Sequence, residues 1–355
     1  MNILKIGNLS AKFPIVQGGM GVGISLSGLA SAVANAGGIG VISAAGIGLV
    51  HRKLSSNFCE ASKLGLAEEI SRARAKTKGI IGVNIMVVLT NFSDMVKTAI
   101  AEKADIIFSG AGLPLDLPSF LTKDSATKLV PIVSSSRAAK LICEKWKNNY
   151  DYLPDAIVLE GPKAGGHLGY KVADIDKETS SLECTLPDLV KEINVIEKKY
   201  NKTIPIIAGG GIYTNDDVKR ILSLGASGVQ VGTRFVTTEE CDASYNFKAA
   251  YLDAKEEDIM IIQSPVGMPG RAIHSSFLDK VKAGLKQPKS CPFHCIKSCD
   301  ITKSPYCIIT ALYSAFRGDM NNGYAFAGAN AWRANKIQSA KEIVYELMGY
   351  SESEA

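Results

Sequence analysis

Eight short and almost wholly apolar runs punctuate the chain. They lie at 14–18 (PIVQG), 39–44 (IGVISA), 80–88 (IIGVNIMVV), 105–109 (DIIFS), 129–134 (LVPIVS), 155–160 (DAIVLE), 204–208 (IPIIA) and 228–232 (GVQVG). Between them apolar positions recur at helical spacing, for example over Ser25–Ala36, Phe92–Glu102, Arg137–Lys147, Leu186–Tyr200 and Asn215–Leu224. Strands with two apolar faces are strands covered by helices, so the pattern predicts a parallel sheet built from β/α repeats. Eight repeats in about 230 residues fit a TIM (β/α)8 barrel. The alternative, an open doubly wound sheet, lacks its G-x-G-x-x-G fingerprint between a strand and a helix. After residue 236 the repeat stops. Helix-like stretches at Ser244–Ala254 and Ala334–Leu347 flank an irregular section, Gln263–Ser304, rich in Pro, Gly and Cys. The predicted organisation is a barrel over 1–236 and a C-terminal helical, Cys-containing extension over 237–355 packed on it.

Composition narrows the classes. With 46% hydrophobic and 21% charged residues in 355, the chain can bury a large core. A net charge of +5, with Lys and Arg scattered among acids, gives little support to nucleic-acid binding. Phe13 to Val50 contains no charged residue or histidine, which imitates a membrane span. Its ten glycines, with Pro14, Gln17 and Asn35, read instead as strand, buried helix, strand. The first ten residues hold no signal-peptide core. The expectation is a soluble, cytoplasmic protein with no membrane contact; a homodimer is left open.

The chemistry gathers where strands end. Gln17-Gly18-Gly19-Met20-Gly21 closes the first run, Gly82-Val83-Asn84 lies in the third, and Glu160-Gly161 closes the sixth. Ala208-Gly209-Gly210-Gly211 closes the seventh and Gly232-Thr233-Arg234 the eighth. Glycines at the mouths of strands 7 and 8 let backbone N–H groups approach phosphate oxygens, the usual phosphate site of such barrels. Singly, each cluster reads as a turn. Two on consecutive strands, together with Gly165-Gly166, point to a phosphate-bearing cofactor.

PIVQGGM, GVN, EGPKAGGHLG, IIAGGGI and VQVGTRF occur in an order and spacing that resemble the nitronate monooxygenase (2-nitropropane dioxygenase) family, which includes enoyl-ACP reductase II. The resemblance covers roughly residues 1–280. It implies a TIM barrel that binds FMN non-covalently. On that resemblance Gly19 and Met20 lie near the flavin ring, and Asn84, Glu160 and Gly161 line it. Gly165, Gly166, Gly209, Gly210, Gly211, Gly232 and Thr233 hold the phosphate end, and His167 matches the catalytic histidine.

His167 also has a physical case. It is one of four histidines and stands among glycines that clear space beside it. A neutral imidazole can take or give a proton at physiological pH, which flavin chemistry often requires. The resemblance leaves two reactions level: oxidation of a small alkyl nitronate, or NAD(P)H-dependent reduction of an enoyl thioester through FMN. Readings from other classes are a non-catalytic electron-transfer flavoprotein and a flavin-free sugar-phosphate enzyme. No metal is assigned. Cys291, Cys295 and Cys299 would share one face of a helix and, with Cys307, could bind Zn2+ or an iron–sulfur cluster; packed or redox-active thiols fit the spacing better. Residues 264–277, with Arg271, read equally as a lid or a connector. Residues 323–333 read as packing of a terminal helix.

Overall fold

The computed structural model describes residues 3–350. Eight parallel strands form one sheet: β1 (Ile15–Gln17), β2 (Gly40–Ser43), β3 (Ile81–Met86), β4 (Ile106–Gly110), β5 (Lys128–Val133), β6 (Ile157–Glu160), β7 (Ile206–Gly209) and β8 (Gly228–Val231). They neighbour one another in chain order, and β8 pairs with β1 through Val229 opposite Ile15. A parallel bridge between Val16 and Ile39 joins β1 to the start of β2 and closes the ring. The buried Gln17 side chain reinforces that seam, donating to the Val41 carbonyl and accepting from the Val41 N–H at 3.0 Å. The architecture is a TIM barrel, and each of the eight runs contributes one of its strands.

Period-2 alternation sorts the strand side chains. Ile106 and Phe108 of β4, Val158 of β6 and Ile207 of β7 fill the barrel interior. Ile107, Ile157 and Leu159 face the surrounding helices. Leu4, Ile6 and Ala11 belong to the interior cluster, so the antiparallel N-terminal hairpin (Leu4–Ile6, Leu9–Ala11) plugs the end opposite the strand C-termini.

The outer layer consists of α1 (Ser27–Asn35), α2 (Phe58–Lys76), α3 (Phe92–Ala101), α4 (Ser136–Tyr150), α5 (Leu182–Tyr200) and α6 (Asn215–Ser223). Between β4 and β5 a single 3-10 turn, Leu117–Phe120, replaces a helix. α5 begins four residues before the predicted Leu186, because the Ser181 side chain caps Cys184 N–H.

The segment after 236 contributes α7 (Tyr245–Leu252), α8 (Ile308–Phe316) and α9 (Ala340–Leu347). It is not wholly helical as expected: β9 (Ile259–Gln263) and β10 (Pro269–Ile273) form an antiparallel hairpin. The predicted helix over 334–347 starts only at Ala340, where Ser339 and Glu342 form a reciprocal capping box. Ala340, Ile343, Val344 and Leu347 join the main core cluster, and α9 packs on α1 and α6. A distant C-terminal helix thus closes the outer ring between the first and last helices of the repeats.

Candidate active site

Continuing the alternation upward places polar side chains in the top interior layer. Val41 and Ser43 share a parity on β2, Gly82 and Asn84 on β3, Val158 and Glu160 on β6, Gly228 and Gln230 on β8. Ser43, Asn84, Glu160 and Gln230 all line a cavity of about 380 Å3 at the strand C-termini. Asn84, Glu160 and Gln230 have no side-chain hydrogen bond to another described residue, and the buried Ser43 Oγ has no partner either. A polar layer left unpaired inside a barrel is what a polar ligand would complete. Burial alone pushes the Glu160 carboxyl up to about 7.

The predicted residues largely converge. Gly19, Met20, Asn84, Glu160, Gly165, Gly166, His167, Gly209, Gly210, Gly211, Gly232 and Thr233 line this one cavity. Gly161 stands behind its wall, its N–H bonded to the Gly209 carbonyl at 2.7 Å. Gly19 admits no larger residue: a Cβ there would lie 2.3 Å from that of Asn84. Gly210 and Gly211 both take positive φ, 108° and 83°, a backbone conformation that glycine adopts without strain. The N–H groups of Gly210, Gly211, Gly232 and Thr233 meet no protein acceptor among the described residues. The Thr233 hydroxyl accepts from Gly328 N–H at 3.0 Å, which leaves its proton free to donate. These donors suit the phosphate of a cofactor.

His167 comes to the cavity from outside the barrel sheet. Gly166-His167 forms a two-residue strand that pairs with β10, Gly270 opposite His167 and Arg271 opposite Gly166. Its Nε2 lies 2.8 Å from Ser264 Oγ, and its ring meets Phe326 edge-on with centroids 5.0 Å apart. Burial pulls its pKa down to about 4.

The C-terminal segment thus builds one wall of the site. Residues 264–277 include the turn between β9 and β10 and the whole of β10; Met268 lines the cavity. Arg271 is not a surface residue but buried, donating to the carbonyls of Pro162 and Ala164 ahead of His167. Residues 323–333, expected to pack a terminal helix, bring Phe326, Ala327 and Gly328 to the cavity, with Ala272 bridging Phe326, and their buried alanines cluster with Phe247 of α7 and Ala315 of α8. Sequence reasoning missed Ser43, Gln230, Ser264 and Phe326. The first two carried a readable signal, the strand parity they share with Asn84 and Glu160. Ser264 and Phe326 depend on long-range pairing.

The remaining candidates lie elsewhere. His51 is buried between Glu68 and Glu69, and exposed His274 pairs with Asp279. Residues 291–303 form turns rather than the helix that would align Cys291, Cys295 and Cys299. Cys295 is buried, Cys299 contacts Ser304 Oγ at 3.4 Å and Thr310 donates to Cys307 at 3.2 Å. Among the described residues no group of three His, Cys, Asp or Glu side chains could hold a metal ion. No described helix is long and apolar enough to cross a membrane.

A family model for nitronate monooxygenase matches residues 2–349. The chain belongs to the nitronate monooxygenase family. It is 28% identical over 299 residues to a probable nitronate monooxygenase of Staphylococcus saprophyticus, covering 78% of this chain and 79% of that protein. It is 26% identical over 278 residues to the (3aS,4S,5R,7aS)-5-hydroxy-7a-methyl-1-oxo-octahydro-1H-indene-4-carboxyl-CoA dehydrogenase of Mycobacterium tuberculosis, covering 78% of this chain and 68% of that protein. The structure of FabK from Thermotoga maritima superposes with a TM-score of 0.71 at 26% identity, covering 96% of this chain and 92% of that one. The family model and these relatives make the chain an oxidoreductase.

Proposed function

We propose that the protein is an FMN-dependent oxidoreductase that oxidises a small nitronate-type substrate, with His167 serving the substrate's proton or anionic oxygen. One observation carries the reading: a set of backbone N–H groups without protein acceptors and a half-buried imidazole, its pKa held down, line the same barrel-end cavity. Gly210, Gly211, Gly232 and Thr233 would hold the FMN phosphate. Gly165, Gly166 and Gly209 would lie at that same end, and Gly19, Met20, Asn84, Glu160 and Gln230 would border the rest of it. Bound there, the flavin supplies the electron or hydride transfer. Arg271 positions the loop that carries His167, and the turn between β9 and β10 brings Met268 to the cavity.

A second reading, reduction of an enoyl thioester with NAD(P)H as co-substrate, has the likeness to FabK over 96% of the chain and the acyl-CoA named for the mycobacterial relative in its favour. The test loads the protein with FMN and reduces it without oxygen. Bleaching of the flavin by a nitronate, but not by NADH or NADPH, supports the first reading. Rapid bleaching by a pyridine nucleotide, with recovery on adding an enoyl thioester, supports the second. A protein that takes up no flavin sinks both.

A further inference from the structure

We propose that Ser264 fixes the tautomer of His167, so that the imidazole presents Nδ1–H to the cavity and acts as a neutral hydrogen-bond donor to an anionic oxygen of the substrate. The proposal rests on reading the cavity as an oxidoreductase site and says how its histidine works there.

Ser264 is 3% exposed, and its Oγ lies 2.8 Å from His167 Nε2. That oxygen also accepts, in a longer contact of 3.4 Å, from the N–H of Val266. A hydroxyl has one proton to donate, and a buried one needs an acceptor. Among the described residues the Ser264 hydroxyl proton has no acceptor other than His167 Nε2. With Ser264 as the donor, Nε2 offers its lone pair and the neutral ring carries its proton on Nδ1. Nδ1 has no hydrogen-bond partner among the described residues, while the ring lines the cavity.

The arrangement is held from both sides. Ser264 opens the turn between β9 and β10, with its N–H on the Met268 carbonyl at 3.1 Å and its carbonyl accepting from Gly267 N–H at 3.0 Å. β10 in turn pairs with the strand of His167, and Leu168 N–H bonds the Pro269 carbonyl at 2.8 Å. Donor and acceptor are therefore held by one small sheet and its turn, and the Phe326 ring packs against the imidazole edge.

A donor, unlike a base, needs no proton to leave the substrate. It suits a substrate that arrives with negative charge on oxygen, as a nitronate does, or gains it there, as a thioester carbonyl does when hydride reaches the conjugated carbon. A neutral nitroalkane, which must first lose a proton, would be turned over poorly.

The test is 15N NMR of the histidine-labelled protein at pH 7, with His167→Ala assigning the resonance, beside turnover of Ser264→Ala and Ser264→Thr. The expected spectrum shows Nδ1 protonated and Nε2 bare in the native chain. Ser264→Ala should lose that preference and lower kcat about tenfold or more, with the smaller change in KM; Ser264→Thr should restore both. A native spectrum with the proton on Nε2 would overturn the proposal without any variant. So would a Ser264→Ala protein with unchanged tautomer and kcat. Unchanged turnover of His167→Ala would end the donor role while leaving the oxidoreductase reading, tested by flavin bleaching, in place.

Discussion

Arg271 donates from Nη1 to the carbonyl of Ala164 at 2.8 Å, three residues ahead of His167, and the same nitrogen reaches the carbonyl of Pro162. A buried guanidinium on the C-terminal hairpin thus ties down a loop that leaves the barrel more than a hundred residues earlier in the chain. Hydrogen bonds to a charged donor are worth more than neutral ones, and Arg271→Ala would leave two carbonyls unpaired. The expected loss is about 2–3 kcal/mol in urea denaturation, with a lower kcat because the strand of His167 loosens. Arg271→Lys should recover only part of it, since a point charge on a flexible stem lacks the planar fork. Full stability in Arg271→Ala would show that the loop is held by strand pairing alone.

Thr233 offers a test of the phosphate end. Its hydroxyl accepts from Gly328 N–H, and its own proton is free to donate to a ligand. Thr233→Val keeps the shape and removes that donor, while also leaving Gly328 N–H without its acceptor. A lost hydrogen bond of about 1.4 kcal/mol corresponds to a tenfold rise in the Kd for FMN, measured by quenching of flavin fluorescence. An unchanged Kd would confine the phosphate contacts to the backbone.

The fold and the floor of the site were legible because they follow local rules. Eight apolar runs with helical segments between them specify a barrel, and the glycines at the ends of β7 and β8 line its cavity. Asn84 and Glu160 are picked out by the family resemblance, and Ser43 and Gln230 share their strand parity. The wall of the site obeys no such rule. Ser264, Arg271 and Phe326 come from a stretch without the β/α repeat, and long-range pairing of β10 sets Ser264 and Arg271 against the His167 loop and Phe326 at the cavity. Residues 323–333 mislead for a related reason: small residues and aromatics at close spacing serve a pocket wall as readily as a helix interface. The closing helix α9 carries a clear amphipathic signal, yet nothing local says that it completes a ring begun more than 300 residues earlier.

Glu160 makes stability depend on pH in the direction opposite to most carboxylates. Burial raises its pKa from an ordinary 4.5 to about 7, so the folded protein holds this proton more tightly than the unfolded chain. The resulting stabilisation is fully present below pH 4.5 and is lost as the pH rises through 7. Glu160→Gln cannot ionise and escapes that loss. The variant should therefore gain on the native protein between pH 5 and pH 8, by up to about 3 kcal/mol in paired denaturation curves. A difference independent of pH would mean that the carboxylate is solvated within the cavity. Bound flavin would also alter this balance, so the measurement belongs on flavin-free protein.

Glu69 should behave in the reverse sense. Burial by itself would raise its pKa, but the hydrogen bonds from His51 at 3.0 Å and from Ser27 N–H at 2.8 Å outweigh burial and bring it to about 2. The carboxylate joins α2 to the first turn of α1 and to the segment after β2, beside the seam where the barrel closes. Its contribution is present above pH 4.5, the ordinary value, and is lost as the pH falls through 2. Glu69→Gln should cost about 3 kcal/mol at pH 7, and the gap to the native protein should narrow steadily toward pH 3. Because the site lies away from the cavity, flavin affinity should be unchanged while stability falls. A variant that lost flavin binding in proportion to stability would show that the seam and the cofactor cradle unfold as one unit.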